Sequence, residues 1–270
     1  MAKVFVFDVA ECGGCYNCQI ACKDEHCGND WSPYAKPQPV WGQFWCKINE
    51  HVRGQVPKVK AAYVLTMCMH CDDAPCIPVC ADEAISKRDD GLVWIDPAKC
   101  TGCKLCLEAC PYGAIYFNED YKLAQKCTGC AHLLDRGGPI DEPRCVDACA
   151  MSAFMFGEES EYSSQISQAE ALAPNFGTAP SVRVHYLNLP KRFIAGTVYD
   201  PTSNEVVIGA TCTLSGDGSG TATTDEFGDF WFEGLAVGTY SLTIEKDGKS
   251  LTKDDISTEE DVNVGDLALS

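Results

Sequence analysis

Four cysteine-rich runs constrain the fold of this 270-residue chain more than any other feature of its sequence. The clearest run is Cys100-Thr-Gly-Cys103-Lys-Leu-Cys106-Leu-Glu-Ala-Cys110-Pro111, with the spacing C-x2-C-x2-C-x3-C-P. In such a run, three closely spaced thiolates hold one iron–sulfur cubane, and the fourth reaches a different cubane. The run therefore predicts another cysteine-rich segment that donates a ligand back to it.

Three further runs can supply such ligands. Residues 12–22 repeat the same spacing, with Lys23 in place of the proline. Residues 68–80 read C-x2-C-x4-C-x3-C, and the last run joins a C-x2-C pair at 127–130 to a C-x3-C pair at 145–149. The shared plan is an internal repeat, and its four runs use sixteen of the nineteen cysteines.

The order of the runs predicts which of them exchange their fourth cysteines. The runs at 68–80 and 100–110 are adjacent and joined by a predicted hairpin around Asp90-Gly91. They form an inner module, inserted between the first and last runs, which form an outer one; the opposite pairing needs longer crossings. Four [4Fe-4S] clusters follow. The predicted metal ligands are Cys12, Cys15, Cys18 and Cys149; Cys22, Cys127, Cys130 and Cys145; Cys68, Cys71, Cys76 and Cys110; and Cys80, Cys100, Cys103 and Cys106.

Disulfides and structural zinc are the alternative uses of so many cysteines. Disulfide scaffolds of secreted proteins space their cysteines widely, whereas here they lie in nested runs. Zinc sites join two separated C-x2-C pairs, whereas three ligands here crowd into seven residues. An exchanged fourth cysteine also has no use in a site for a single ion. The spacing therefore favours iron–sulfur clusters.

Several residues near the runs have simpler expected roles. Cys27 and Cys46 lie outside the quartets and are expected to be small buried hydrophobic residues. His70 is expected to pack or to hydrogen-bond a sulfide rather than to ligate metal. Lys23 and Lys104 adjoin ligands, as solvated charges or as charges that raise a reduction potential. No catalytic triad, phosphate loop or zinc-protease helix is visible, so the chain is predicted to carry redox centres without a catalytic site.

Charge and hydropathy exclude two classes of partner. The formal net charge is −18, and residues 193–270 hold fifteen acidic residues against three lysines, or −12 of that total. This acidity argues against nucleic acid as a partner. No apolar run approaches the ~18 residues of a membrane span. The first residues are too soon charged for a signal peptide, so we expect a cytoplasmic location, or export with a partner that carries a signal.

The C-terminal part has a different pattern. From Phe193, short strand-like runs alternate with Gly- and Asp-rich turns, which predicts an immunoglobulin-like sandwich with Cys212 in its core. Residues 224–242 resemble the carboxypeptidase-regulatory and transthyretin-like families.

The predicted fold class is α+β: two interleaved bacterial ferredoxin-like modules followed by an all-β immunoglobulin/transthyretin-like sandwich. The predicted boundaries are 1–60 with 125–155 (outer module), 61–124 (inner module), 156–192 (wrapping return segment, with a helix at 163–173) and 193–270 (sandwich).

Residues 1–190 resemble the four-cluster electron-transfer subunits of molybdenum or tungsten bis-pterin enzymes, the dimethyl sulfoxide reductase superfamily. The specific pieces are Cys68-Met-His-Cys71-Asp-Asp-Ala-Pro-Cys76 and Cys127-Thr-Gly-Cys130. With the sandwich, the combination is similar to the small subunits of pyrogallol–phloroglucinol transhydroxylases and catechol dehydroxylases. Lys23, Ala81 and Ala150 stand where the motif often has proline, which predicts an altered local backbone with intact ligands.

The resemblance implies a large catalytic partner that binds the molybdenum or tungsten pterin and a hydroxylated aromatic substrate. This chain would pass electrons between that subunit and an external donor or acceptor. Four complete quartets favour net redox chemistry, with redox-neutral transhydroxylation as a close alternative. A free-standing polyferredoxin shuttle, and clusters that serve only to hold the fold, are the other two hypotheses.

Overall fold

The computed structural model describes residues 2–270, and the chain divides into two compact units. The cysteine-rich unit comprises the chain up to Glu50 together with Ala62–Leu189. The sandwich unit comprises His51–Ala61 and Pro190–Ser270. Each unit has a hydrophobic core of its own. No helix among residues 2–270 is long and apolar enough to cross a membrane.

The cysteine-rich unit is built from short elements, because each cysteine run interrupts regular structure. Its helices have ten residues or fewer, and its hairpin strands β4 to β7 have three each. The elements are β1 (Lys3–Asp8), α1 (Asn17–His26), β2 (Cys46–Gln55), β3 (Lys58–Met67), β4 (Ile85–Lys87), β5 (Val93–Ile95), α2 (Leu105–Ala109), β6 (Tyr116–Asn118), β7 (Leu123–Gln125), α3 (Ala131–Arg136), α4 (Arg144–Asp147), β8 (Phe154–Glu158), α5 (Ser163–Ile166) and β9 (Val184–Leu187). The outer ends of β2 and β3 belong to the sandwich unit.

A three-stranded sheet in the order β8-β1-β9 joins the two ends of the cysteine-rich unit. The central strand β1 is a run of buried apolar residues, as expected for a strand covered on both faces. Phe5 pairs with Phe156 of β8 in antiparallel fashion, and Phe7 pairs with Tyr186 of β9 in parallel. Because β1 precedes the first cysteine run and β8 follows the last, the sheet brings these runs together. Helices α1 and α4 accordingly contact each other.

Two hairpins separate the middle cysteine runs. Strands β4 and β5 pair with Ile85 opposite Ile95, on either side of the turn predicted around Asp90-Gly91. Strands β6 and β7 pair in the same way after the run at 100–110. Ile85, Val93 and Ile95 are buried in the core of the unit, so the first hairpin presents its apolar face to the neighbouring cysteine runs.

The sandwich unit consists of two four-stranded sheets. One has the order β11-β10-β14 with β17 beside β10, and the other has the order β13-β12-β15-β16. In β12, Cys212 and Leu214 are buried while the threonines beside them are exposed, which confirms that Cys212 points into the core. The strands are β10 (Arg192–Asp200), β11 (Glu205–Val206), β12 (Thr211–Gly216), β13 (Gly220–Thr223), β14 (Asp229–Leu235), β15 (Thr239–Lys246), β16 (Lys249–Ser257) and β17 (Val262–Ala268).

Buried charges in the sandwich unit are paired. Arg53 Nη1 lies 3.1 Å from Asp261 Oδ2, and Asp261 also accepts a hydrogen bond from the Phe193 N–H at 3.0 Å. Lys58 is 6% exposed, and its ammonium pairs with Asp229. Each of these cations therefore has a carboxylate as its counter-charge.

Two elements differ from the prediction. The helix predicted at 163–173 is confined to α5, which follows a 3-10 turn at Glu159–Tyr162. The backbone of Glu170 instead exchanges hydrogen bonds of 2.8 and 2.9 Å with Tyr186, which draws this segment out as an extended bridge. Strand β16 was not predicted because it is mostly exposed and lacks an alternating apolar pattern.

Candidate iron–sulfur sites

Two of the predicted quartets line cavities of their own. In each of them, the four thiols of one predicted quartet surround a common cavity. The cavities are lined by Cys68, Cys71, Cys76 and Cys110, and by Cys80, Cys100, Cys103 and Cys106.

In each of the other two predicted quartets, the charges of neighbouring thiols raise the pKa of one cysteine. Burial raises the pKa of Cys12, and the charges of Cys18, Cys149 and Cys15 raise it further. Burial also raises the pKa of Cys22 well above its usual value, and the charges of Cys145, Cys127 and Cys130 act in the same direction. In both cases the neighbouring thiols named are members of the same predicted quartet; the four ligand sets stay a prediction.

In both Cys-Thr-Gly-Cys turns, the glycine has a left-handed backbone conformation that turns the chain between the two cysteines. Gly102 has φ +77°, and a Cβ there would lie 2.3 Å from the carbonyl oxygen of Lys122. Gly129 has φ +64°, and its Cβ would lie 2.5 Å from Leu92 Cδ1. Only glycine meets both demands, since other residues carry a Cβ and disfavour positive φ.

Backbone N–H groups point at sulfur in three of the quartets. Gly129 donates to Cys127 Sγ at 3.3 Å, Ala114 to Cys110 Sγ at 3.4 Å, and Ala124 to Cys100 Sγ at 3.4 Å. Such donors favour the thiolate form of cysteine and raise the reduction potential of a cluster that the thiolate binds.

The quartets differ in their access to solvent. Cys15 and Cys103 are exposed, and they belong to different quartets, which we call the surface quartets. The quartet of Cys22, Cys127, Cys130 and Cys145 is wholly buried. The quartet of Cys68 has three buried members and one that is half-buried. We call these last two the interior quartets.

Sequence reasoning missed two residues that contact quartet sulfurs. Cys46 is 1% exposed, as expected, and its thiol also hydrogen-bonds to Cys145 and Cys18. These bonds and burial raise the pKa of Cys46 well above its usual value, so the thiol stays protonated. His26 Nε2 lies 3.8 Å from Cys130 Sγ, and burial lowers the pKa of His26 to about 3. An unpaired cysteine near four runs was the available signal for Cys46; His26 had none.

The structure shows the burial and the hydrogen-bond or ion-pair partners of the residues for which simpler roles were expected. His70 is fully buried, and its Nδ1 accepts a hydrogen bond from the Val93 N–H at 3.0 Å. Lys104 pairs with Glu119 at 3.2 Å and is half-exposed, as a solvated charge. Lys23 donates to two backbone carbonyls of the loop at 39–42. Cys27 is half-buried. Within residues 2–270, no three His, Cys, Asp or Glu side chains meet as they would around a single metal ion.

Thiols grouped in one unit and a β-sandwich as the other define an iron–sulfur electron carrier with an additional β-domain. The model of the 4Fe-4S dicluster domain matches residues 59–159, and that of the carboxypeptidase regulatory-like domain matches residues 194–270. The pyrogallol hydroxytransferase small subunit of Pelobacter acidigallici is 36% identical over 274 residues, covering 98% of each chain. The chain belongs to the family of iron–sulfur electron-transfer subunits of the dimethyl sulfoxide reductase superfamily, whose members serve a separate pterin-containing catalytic subunit.

Other relatives match the cysteine-rich part. One subunit of the tetrathionate reductase of Salmonella typhimurium is 32% identical, over 70% of this chain and 73% of its own length. The arsenate respiratory reductase iron–sulfur subunit of Shewanella sp. is 32% identical, over 67% of this chain and 94% of its own length. The predictions of [4Fe-4S] clusters and of an α+β fold with a carboxypeptidase-regulatory-like sandwich are confirmed.

Proposed function

We propose that the four quartets hold four [4Fe-4S] clusters and that the partner subunit acts on a hydroxylated aromatic compound. The single observation that supports the cluster assignment is that the four thiols of each of two predicted quartets line one common cavity. When bound, each cluster can accept or release one electron. The chain supplies the thiolate ligands, the N–H donors to sulfur and the burial that together adjust the reduction potential.

The substrate class rests on the extent of the similarity. The relative that matches 98% of this chain, sandwich included, is named for the transfer of a hydroxyl group involving pyrogallol. The tetrathionate and arsenate relatives match 70% and 67% of the chain. Similarity that extends through the sandwich favours a hydroxylated aromatic over these inorganic substrates.

The interleaved arrangement of modules is part of the proposal. The outer module comprises residues 1–60 and 125–155, the inner module 61–124, the return segment 156–192 and the sandwich 193–270. The contact between α1 and α4 supports an outer module made from the first and last runs. The hairpin β4–β5, which joins the two middle runs, supports the inner one.

Net redox chemistry is the favoured reaction type, since the two surface quartets offer two points of access for electrons. Redox-neutral hydroxyl transfer is the second candidate, favoured by the name of the relative in Pelobacter acidigallici. Consumption of a reduced viologen by the complex during turnover separates them. Oxidation of two equivalents of a one-electron viologen per product supports net reduction; product without viologen oxidation supports transfer.

Anaerobic purification of the native complex tests the cluster assignment. We expect about sixteen iron atoms per chain, from four irons in each of four cubanes, together with a large pterin-containing subunit. About twelve irons would remove one site, and bound zinc in place of iron would contradict the assignment. Elution of this chain alone would favour a free-standing shuttle. Clusters that remain oxidised throughout an EPR-monitored titration would support a structural role.

A further inference from the structure

Lys126 is a buried cation directly before the ligand Cys127. Its side chain is 2% exposed, and its ammonium donates to the carbonyl oxygens of Val93 and, at 3.0 Å, of Cys127. Among residues 2–270, no carboxylate pairs with this ammonium. The two carbonyls solvate the charge but bring no net negative charge to balance it. A buried ammonium is strongly disfavoured unless an opposite charge lies nearby.

The two carbonyls that Lys126 contacts lie next to the two interior quartets. Cys127 is itself a member of one of them. Val93 lines the cavity surrounded by the thiols of the other, Cys68, Cys71, Cys76 and Cys110. The ammonium therefore lies beside both interior quartets.

The backbone of Val93 holds the Lys126 ammonium in this position. Val93 lies in β5 and is buried; its carbonyl accepts from Lys126, and its N–H donates to His70 Nδ1 at 3.0 Å. Because the carbonyl and the N–H of Val93 are both hydrogen-bonded to buried side chains, the position of the ammonium is set by strand β5.

We propose that Lys126 is a positioning residue that supplies a shared positive charge to the two interior quartets and makes the cluster held by each easier to reduce. The inference rests on the proposed four-cluster assignment. A cubane held by four thiolates is negatively charged, and reduction adds a further negative charge, which a nearby desolvated cation stabilises. The cluster charge in turn is the missing counter-charge of the ammonium.

The test uses the whole complex, purified anaerobically, with iron analysis and EPR-monitored redox titration of each variant. Lys126→Met keeps the length and the apolar stem of the side chain, whereas Lys126→Arg keeps the charge. Lys104→Met is the matched control, because Lys104 also adjoins a ligand but is half-exposed and paired with Glu119. Wild-type iron content and EPR signals test the four-cluster assignment separately.

With Lys126→Met, we expect the ratio of reduced to oxidised cluster at a fixed potential to fall about tenfold or more for two clusters. A tenfold change corresponds to about 59 mV for one electron. The other two clusters should change less than about threefold, as should all four in Lys104→Met, because solvent screens an exposed charge. Lys126→Arg should leave the ratios within about threefold of wild type.

Loss of iron in Lys126→Met alone, with Lys126→Arg fully loaded, would also support the proposal, since methionine preserves shape better than arginine does. Two results would overturn it. One is full iron content with unchanged potentials in Lys126→Met. The other is equal loss of iron in both variants, which would assign Lys126 a structural role only.

Discussion

The two units of this protein balance buried charge in different ways. In the sandwich unit, the nearly buried Lys58 has Asp229 as its partner, and Arg53 has Asp261. In the cysteine-rich unit, the buried Lys126 has two backbone carbonyl oxygens as its partners and lies beside two predicted quartets. The buried cations of the sandwich unit are therefore balanced by carboxylates of the chain itself, whereas the proposed counter-charge of Lys126 is that of the clusters.

The hydrophobic cores of the two units also differ in their content of cysteine. Nine of the buried core residues of the cysteine-rich unit are cysteines, against one, Cys212, in the sandwich core. The thiols of two predicted quartets face common cavities within the first core, whereas the sandwich core is packed by aliphatic and aromatic residues. Metal binding and folding are coupled where the metal supplies the centre of the core. This difference predicts separate stabilities for the two units.

Cluster removal is the strongest test of the comparison. When the full chain is treated anaerobically with ferricyanide and a chelator, we expect strands β1 and β9 to lose nearly all protection from hydrogen exchange. Strands β12 and β15 should keep theirs, because their core needs no cofactor. Mass spectrometry of the exchanged peptides measures both. Joint loss of protection in all four strands would show that the sandwich also depends on the clusters.

Features that depend on local sequence could be predicted, whereas features that depend on contacts with distant parts of the chain could not. Ligand spacing is local, so the four runs alone are enough to predict iron–sulfur clusters, which the match to the 4Fe-4S dicluster domain confirms. The membership of each quartet also depends on how the runs pair, and it stays a prediction. Alternation of apolar residues likewise predicted Cys212 in the sandwich core. The role of Lys126 could not be predicted, because a lysine beside a C-x2-C pair resembles a surface charge. Its burial depends on β5, which lies more than thirty residues earlier in the chain.

Contacts with distant parts of the chain also explain why strand β16 and the end of the helix at 163–173 were not predicted. Strand β16 forms because β15 offers it a partner edge, although its own residues are mostly polar and exposed. The predicted helix at 163–173 ends early because Glu170 pairs with Tyr186, a residue of β9. In both cases a contact with another part of the chain outweighs local propensity.

Within the sandwich, the Arg53–Asp261 pair gives the next largest effect. Asp261→Ala leaves Arg53 without its carboxylate and the Phe193 N–H without its acceptor. We expect the sandwich to lose about 3–5 kcal/mol of unfolding free energy, measured by hydrogen exchange in β10 and β17. The iron content should not change. Glu259→Ala is the control at an exposed acidic position, with an expected change within about 0.5 kcal/mol. Equal effects of the two variants would contradict the importance of the buried pair.

The smallest effects compare two buried thiols outside the quartets. Cys46 and Cys212 are 1% and 0% exposed, but only the Cys46 thiol donates to quartet sulfurs, those of Cys145 and Cys18. Cys212 lies among apolar side chains, and burial raises its pKa to about 11. Truncation of either residue to alanine removes one sulfur from a packed core, at a cost of about 1 kcal/mol.

The two alanine variants should therefore differ in redox behaviour rather than in stability. Cys46→Ala removes a hydrogen bond to ligands of two quartets, which should make the clusters that they hold harder to reduce, since donors to sulfur raise the potential. We expect a fall of about threefold in the ratio of reduced to oxidised cluster at a fixed potential, with iron content unchanged. Cys212→Ala should leave every midpoint potential at its wild-type value. A shift of the same size in both variants would mean that general loosening of the chain, rather than the hydrogen bond from Cys46, sets the potential.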